Sequence, residues 1–263
     1  MITKTDALVL KSMRYRDTSK IVTFYTRRYG KIKAIAKGAR DLKSKFGAAL
    51  EPMTLGSLLL YKKEHRELQL VSQCDIVRPY KNIHTEMDRM AVGLSILELV
   101  NLVTHDEEEN PSLFSLLVDT FESLEKAERN FEVFFYAFEL RLAALFGFSL
   151  SFQQCIICSK PLEYGEDAFA LLFDIGKGGL YCPECVTRLG SAVLRSRSKT
   201  RLTAQTATII ERLLHDSFES IVTIDCRPSI GNELDETIRL YLQYHFEELK
   251  PLKTRAVFQK LNA

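Results

Sequence analysis

Histidine is scarce in this chain and nowhere gathered. The five in 263 residues, His65, His84, His105, His215 and His245, stand apart and form no H-E-x-x-H pair for a hydrolytic metal. No G-x-S-x-G elbow presents a nucleophilic serine, and no G-x-x-x-x-G-K-[ST] loop cradles phosphate. Gly176-Lys177-Gly178-Gly179 comes nearest to the last, and a hairpin turn explains it better. With no catalytic constellation in the sequence, a protein that is not an enzyme is expected. Glycine (12) and proline (7) are too few for a low-complexity chain, and no short internal repeat is present. No apolar run approaches the roughly 20 residues that cross a bilayer. Met1-Ile2-Thr3-Lys4-Thr5-Asp6 carries charges where a secretory signal has its apolar core, so a cytoplasmic location is expected. The length is enough to bury a sizeable core in one to three domains.

Cysteine is also sparse, but four of the six are organised. Cys155-Ile156-Ile157-Cys158 and Cys182-Pro183-Glu184-Cys185 are two C-x-x-C knuckles separated by 23 residues. Each knuckle turns tightly enough to aim two thiolates at one ion, and two knuckles fill a tetrahedral zinc site. Between them Ala168-Phe169-Ala170-Leu171-Leu172-Phe173, a turn through Asp174 to Gly179, and Leu180-Tyr181 read as a β-hairpin. A disulfide pair or reduced bystander thiols are the alternatives, and the doubled spacing without a secretory context favours zinc. Four thiolates leave no position open for water, so one structural zinc per chain is expected. The deaminase signature is absent, since Ile156-Ile157 follows Cys155 and Tyr181 precedes Cys182. Cys74 and Cys226 read as buried thiols.

The net charge of +2 conceals an uneven distribution. Residues 1–80 carry 17 Lys and Arg against 7 Asp and Glu; residues 81–150 carry 5 against 13; residues 151–263 carry 14 against 14. Blocks this different suggest separate domains, and a basic first block predicts a polyanionic partner, most economically nucleic acid.

Residues 1–80 alternate with period 2. Strands are expected at Ala7–Met13, Ile21–Thr26, Lys31–Lys37, Leu55–Tyr61 and Leu68–Cys74, with a helical turn in Asp41–Ala49. Five strands with an insertion after the third is the pattern of an OB-fold barrel, and an SH3-like barrel has a similar strand count. In the third strand Lys31, Lys33 and Lys37 share one face and Ile32, Ala34 and Ala36 the other. Arg14-Tyr15-Arg16 and Arg27-Arg28-Tyr29 set rings among cations, a pattern that lets cations track phosphates while rings stack on bases. A solvated surface with ordinary tyrosines is the plainer reading, and the surplus of ten cations with lysines in register argues against it. Candidate contacts are Lys11, Arg14, Tyr15, Arg16, Lys20, Arg27, Arg28, Tyr29, Lys31, Lys33, Lys37, Arg40, Lys43 and Lys45.

From residue 81 the period becomes helical. A first helix around Met87–Leu102 ends at Asp106-Glu107-Glu108-Glu109, an acidic run that reads as a solvated loop. Asn110-Pro111 opens a second helix, and Phe131–Phe148 is a third, apolar enough to be buried on most sides. Thr206–Phe218, Glu233–Leu249 and a basic tail with Lys250, Lys253, Arg255 and Lys260 complete the chain. The expected organisation is α+β: an N-terminal barrel (1–80), a helical domain in two parts (81–150 and 191–263), and a four-cysteine finger (151–190) inserted in it.

This order of parts resembles the RecO family of bacterial recombination mediators. The matching pieces are Asp17-Thr18-Ser19-Lys20-Ile21-Val22, Gly30-Lys31, Lys37-Gly38-Ala39-Arg40, Phe138-Glu139-Leu140-Arg141-Leu142, Gly147-Phe148, the C-x-x-C pairs and Leu252-Lys253-Thr254-Arg255. They span essentially the whole chain, and their order makes the match specific. The resemblance implies a DNA-repair factor that binds single- and double-stranded DNA, anneals complementary strands, and acts with RecR to load RecA onto DNA coated by single-strand-binding protein. It also implies contact with that protein's acidic C-terminal tail, and a bacterial, nucleoid-associated location. By position, Lys37-Gly38-Ala39-Arg40 and the cations around Lys20 and Lys31 fall in the DNA-binding domain. Arg141, Lys253 and Arg255 are partner candidates, with a core-edge ion pair as the alternative for Arg141. Some family members lack the cysteines, which fits a structural metal. Two other classes stay open: an RNA-binding barrel and zinc module, and a metal-dependent nuclease, which would need a separate carboxylate site.

Overall fold

Alternation of small and branched apolar residues through the first 80 positions folds the chain into five strands: β1 (Ile2–Tyr15), β2 (Ser19–Thr26), β3 (Gly30–Ala36), β4 (Leu55–Tyr61) and β5 (Gln69–Arg78). The computed structural model describes residues 1–63, 66–163, 171–190, 198–246 and 249–261. The strands close into a barrel in the order β1-β2-β3-β5-β4. All neighbours are antiparallel except β3 and β5, which join in parallel through Ala34 opposite Gln69 and Ile35 opposite Leu70. A bulge between Val9 and Lys11 bends β1, so that its first half pairs with β4 while its second half pairs with β2. Inward positions carry Ala7, Val9, Val22, Phe24, Ile32, Ala34, Ala36, Leu58, Leu60 and Val71. The alanines fit the narrow interior, and the expected helical turn is a 3-10 turn at Gly47–Leu50 that adds Ala49 and Leu50 to this core.

The chain divides into two compact units, Met1–Lys126 with Pro251–Ala263, and Ala127–Lys250. The first adds to the barrel α1 (Lys81–Thr85), α2 (Met87–Val103), α3 (Pro111–Lys126) and the C-terminal helix Lys253–Leu261. Asn110 caps α3, its Oδ1 accepting from Leu113 N at 2.9 Å. Carboxylates borrowed from neighbouring helices cap two others. Glu125 accepts from Asn82 N and Ile83 N at the start of α1, and Glu98 from Lys253 N and Thr254 N at the start of the last helix.

The second unit is built on α4 (Glu132–Leu145), whose Val133, Phe134, Phe135, Ala137, Phe138 and Leu142 are all buried. Each buried phenylalanine contributes about 1.5–3 kcal/mol, so the helix needs cover on most sides. A three-stranded sheet follows, with β6 (Leu171–Asp174) between β7 (Gly179–Leu180) and β8 (Lys199–Leu202). The expected hairpin is β6–β7, with Phe173 opposite Leu180; Ala168–Ala170 lie outside the described residues. A short helix, α5 (Pro183–Leu189), carries the second knuckle. The segment expected as one helix over Thr206–Phe218 is two, α6 (Ala204–His215) and α7 (Phe218–Ile221), because Ser217 stops the first and caps the second. The helix expected at Glu233–Leu249 is α8 (Pro228–His245), with Pro228 setting its start. The C-terminal helix of the first unit is numbered α9. Among the described residues no helix is long and apolar enough to cross a membrane.

Candidate metal centre and nucleic-acid interface

Two local structures bring the four cysteines together. At the first knuckle Ser159, in a left-handed conformation (φ 57°), reverses the chain, with Ser159 N donating to Cys155 O and Cys155 N to Lys160 O, both at 2.9 Å. At the second, Cys182 is the N-cap of α5 and its Sγ accepts from Cys185 N at 3.5 Å, which turns both sulfurs to one side. All four Sγ atoms lie within 4.8 Å of one another, and the Cys158–Cys182 pair is 3.7 Å apart. Tetrahedral zinc with Zn–S bonds of about 2.3 Å needs sulfurs about 3.8 Å apart, so the donor set fits a closed site. Cys182 N donates to Cys155 Sγ at 3.3 Å and Arg188 Nη2 to Cys185 Sγ at 3.5 Å, stabilising negative sulfur.

Burial pushes the Cys155 thiol up, but the backbone amides of Cys158, Cys182 and Ile157 outweigh it and bring it to about 6. Burial and hydrogen bonds shared with the other three thiols push Cys185 up to about 12. One thiolate forms readily here while that of Cys185 is opposed, and a bound cation would offset that opposition. The Gly-rich stretch is a turn, as expected: Gly178 N donates to Asp174 O at 2.8 Å, and Gly178 has φ 65°.

The barrel's candidate cations separate into two groups. Arg40 draws two sequence motifs to one end: its Nη1 donates to Arg16 O and Asp17 O, at 3.2 and 3.0 Å, and its amide to Thr18 O. The turn Lys37-Gly38-Ala39-Arg40 is thereby locked to the β1–β2 loop that carries Arg14, Tyr15 and Arg16. Lys11, Arg14, Arg16, Lys37, Lys43 and Lys45 are exposed, and among the described residues none forms an ion pair. Lys45 stacks over Phe46 and Arg16 over Tyr15.

The other group is engaged by the protein itself. Asp106-Glu107-Glu108-Glu109, expected as a solvated loop, lies along β3 as a strap. Glu107 N donates to Lys31 O at 2.8 Å, Lys33 pairs with Asp106 at 2.7 Å and Lys62 with Glu107 at 2.9 Å. The reason is charge: an acidic run in the second block meets cations of the first. Lys31, expected on an open phosphate-binding face, is instead buried under this strap, 7 % exposed. Its ammonium donates to the carbonyls of Asn101 and Thr104 and lies 3.5 Å from Asp106. Burial lowers the Lys31 pKa against the pull of Asp106. Gly30 is required beside it, since a Cβ there would sit 1.8 Å from Glu108 O at φ 59°.

Tyr29 is not a free ring either. Its hydroxyl bonds Thr3 Oγ1, and the cations of Arg28 and Lys62 lie over its face at 5.7 and 5.4 Å. Arg27 stacks on Phe114 at 4.6 Å with Asp6 at 3.5 Å, and Lys20 pairs with Glu51 at 2.7 Å.

In the second unit Arg141 is half-buried and closes the end of α6. Its Nε donates to Leu213 O at 2.9 Å, its Nη2 to Asp216 O, and its guanidinium lies 4.5 Å over Phe218. That is helix capping, with the charge of Asp216 also acting on the guanidinium. Lys253 and Arg255 stand in the first turn of α9, where Glu98 receives the Lys253 amide.

Sequence reasoning missed the strap and the helix α5. The strap had a visible signal, a D-E-E-E run beside a K-I-K strand, but no local rule says that such runs meet.

A closed basic barrel in one unit and, in a helical second unit, a four-thiol cluster that could hold a metal ion define a two-part α+β protein. The chain belongs to the RecO family. Its residues 1–80 match the family model described as Recombination protein O N terminal, and residues 84–256 match Recombination protein O C terminal. It is 30 % identical over 264 residues to the DNA repair protein RecO of Chloroherpeton thalassium, covering 99 % of both chains. It is 35 % identical over 198 residues to that of Chlorobaculum parvum, 74 % of this chain and 76 % of the relative. With the protein of the same name from Salinibacter ruber it shares 28 % over 264 residues, 99 % of this chain and 94 % of the relative.

Proposed function

We propose that this protein is a DNA-repair and recombination mediator that binds single- and double-stranded DNA without chemistry of its own. The barrel, residues 1–80, is read as an OB-fold, supported by its strand order and its parallel β3–β5 closure. The observation that carries the reading is the cluster of cations without an ion pair among the described residues, Lys11, Arg14, Arg16, Lys37, Lys43 and Lys45, around the β1–β2 turn and the segment after β3. Cations that screen two phosphate backbones while leaving base edges free lower the repulsion between complementary strands, which is what annealing requires. Family membership supports the finer steps, action with RecR in placing RecA on DNA coated by single-strand-binding protein and contact with that protein's acidic tail. The finger, residues 151–190 between the two helical parts 81–150 and 191–263, is assigned one structural zinc on Cys155, Cys158, Cys182 and Cys185.

The test is a salt titration with labelled single strands. Log affinity should fall linearly with log salt, at about −0.7 per phosphate neutralised. Replacing Lys11, Lys37 and Lys43 together with Ala should flatten the slope by about two units and slow strand annealing in parallel. A triple variant with the parental slope and annealing rate would place the DNA path elsewhere. Stronger binding to matched RNA would favour an RNA-binding role instead.

A further inference from the structure

The pairing registers of the barrel line up six outward-facing apolar side chains, one after another across the strands. Met13 is opposite Ile21, Ile21 opposite Ile35, Ile35 opposite Leu70, Leu70 opposite Tyr61, and Tyr61 opposite Ile2. Ile2, Ile21, Ile35, Leu70 and Tyr61 each adjoin a buried residue on their own strand and so point away from the interior, and Met13 shares that side through its register with Ile21. Ile2, Met13 and Tyr61 are 55, 49 and 43 % exposed, and Ile21, Ile35 and Leu70 are half-buried. The line leaves β1 at Met13 and returns to it eleven residues away at Ile2, so it winds around the barrel as an oblique stripe. Five strand-to-strand steps make it about 24 Å long. Single exposed apolar residues are ordinary, but an unbroken row of six is not.

Lysines flank the stripe at two-residue offsets: Lys4 beside Ile2 and Lys11 beside Met13 on β1, Lys33 beside Ile35 on β3, and Lys37 on its other side in the turn that follows β3. Each offset is about 6.7 Å along a strand. Of the four, Lys33 is paired with Asp106. An occupant must therefore be apolar along its middle and anionic along its edges. A nucleic-acid duplex hides its base faces and offers the stripe nothing. A single strand offers both, and about 24 Å falls within the reach of the roughly 4–16 nucleotides that one such barrel engages.

We infer that the stripe from Met13 through Ile21, Ile35, Leu70 and Tyr61 to Ile2 receives unpaired bases and sets the preference for single strands over duplex, while the flanking lysines hold phosphate. This rests on the DNA-binding reading above and deepens it. Base faces pack on the apolar row without base-edge hydrogen bonds, so the preference is for strand state and not for sequence.

The chain contains no tryptophan, so Tyr61→Trp introduces a single reporter at a position that already carries an exposed ring. Its emission should be quenched saturably by oligo(dT) and oligo(dA), and little by a duplex of equal length, while anisotropy of labelled DNA confirms that both are bound. Met13→Ser with Ile35→Thr should lower single-strand affinity about tenfold, leave duplex affinity and the salt slope in place, and keep the parental melting temperature. The conservative pair Met13→Leu with Ile35→Val should restore the preference. Loss of both affinities together, an unchanged ratio, or DNA binding without quenching of the indole reporter overturns the inference and leaves the DNA-binding reading standing. A self-association lost in the double variant would overturn it in favour of a second copy as the occupant. Failure of the unmodified protein to bind any DNA removes the DNA-binding reading and this one with it.

Discussion

The ammonium of Lys31 sits at the C-terminal end of α2, where the carbonyls of Asn101 and Thr104 lack helical partners and accept its protons. A cation there also meets the negative end of the helix dipole, so this side chain joins barrel to helix instead of facing solvent. Replacing it with methionine keeps the length and leaves those carbonyls unsatisfied. Lys31→Met should lower unfolding free energy by about 1–3 kcal/mol at neutral pH, read by denaturant titration, with the DNA salt slope unchanged. A flattened slope with full stability would return Lys31 to the phosphate path. Burial depresses its pKa, so between the folded value and the ordinary 10.5 the unfolded chain binds more protons. The contribution of this group to stability therefore rises with pH through that window, and Lys31→Met should abolish the rise.

Among the elements, strands and helices with clear periodicity were legible: Leu55–Tyr61 has the expected bounds, and Asn110-Pro111 opens α3 through the expected cap. The clustering of the four cysteines was legible because knuckle spacing is a local constraint. What escaped was non-local. β8 was invisible because a four-residue strand of Lys199–Leu202 has no pattern of its own and exists by pairing with β6. The strap escaped because its partners lie far off in the chain: Lys62 is 45 residues before Glu107, and Lys33 is 73 residues before Asp106.

That strap is open to a direct test. Asp106 and Glu107 occupy Lys33 and Lys62, as phosphates would. Burial acts to raise the Asp106 carboxyl, and the hydrogen bond and charge of Lys33 overcome it and hold the group below its ordinary 3.8. The contact is therefore complete above that range and is lost only as pH falls below it. Asp106→Asn with Glu107→Gln should tighten DNA binding and steepen the salt slope by about one unit, because one or two cations become available. Weaker binding or an unchanged slope would mean that the strap orders the surface and does not compete for it.

At the scale of the whole molecule, the barrel closes its own hydrogen-bonded edges, whereas the proposed role of the cysteine cluster is to be held by an ion. The first knuckle holds to the sheet through Ile156 N donating to Leu180 O at 3.0 Å, and the second through a helix only seven residues long. Among the described residues the buried cluster around the knuckles is small: Cys155, Cys182 and Cys185, with Cys158 and Leu162 packed against them. With zinc bound as proposed, four sulfur–metal bonds would stand in place of apolar area, and metal binding would be folding free energy. Purified protein should contain about one zinc per chain, and a strong chelator or Cys158→Ser should release it. The loss should appear first in the finger, as rapid amide exchange around Ile156 and Leu180 and new protease sensitivity near the knuckles. DNA binding by the barrel should survive, since its cations lie in the other compact unit. Full protection of those amides in metal-free protein would show that packing alone holds the finger, and the cluster would then not be a structural metal site.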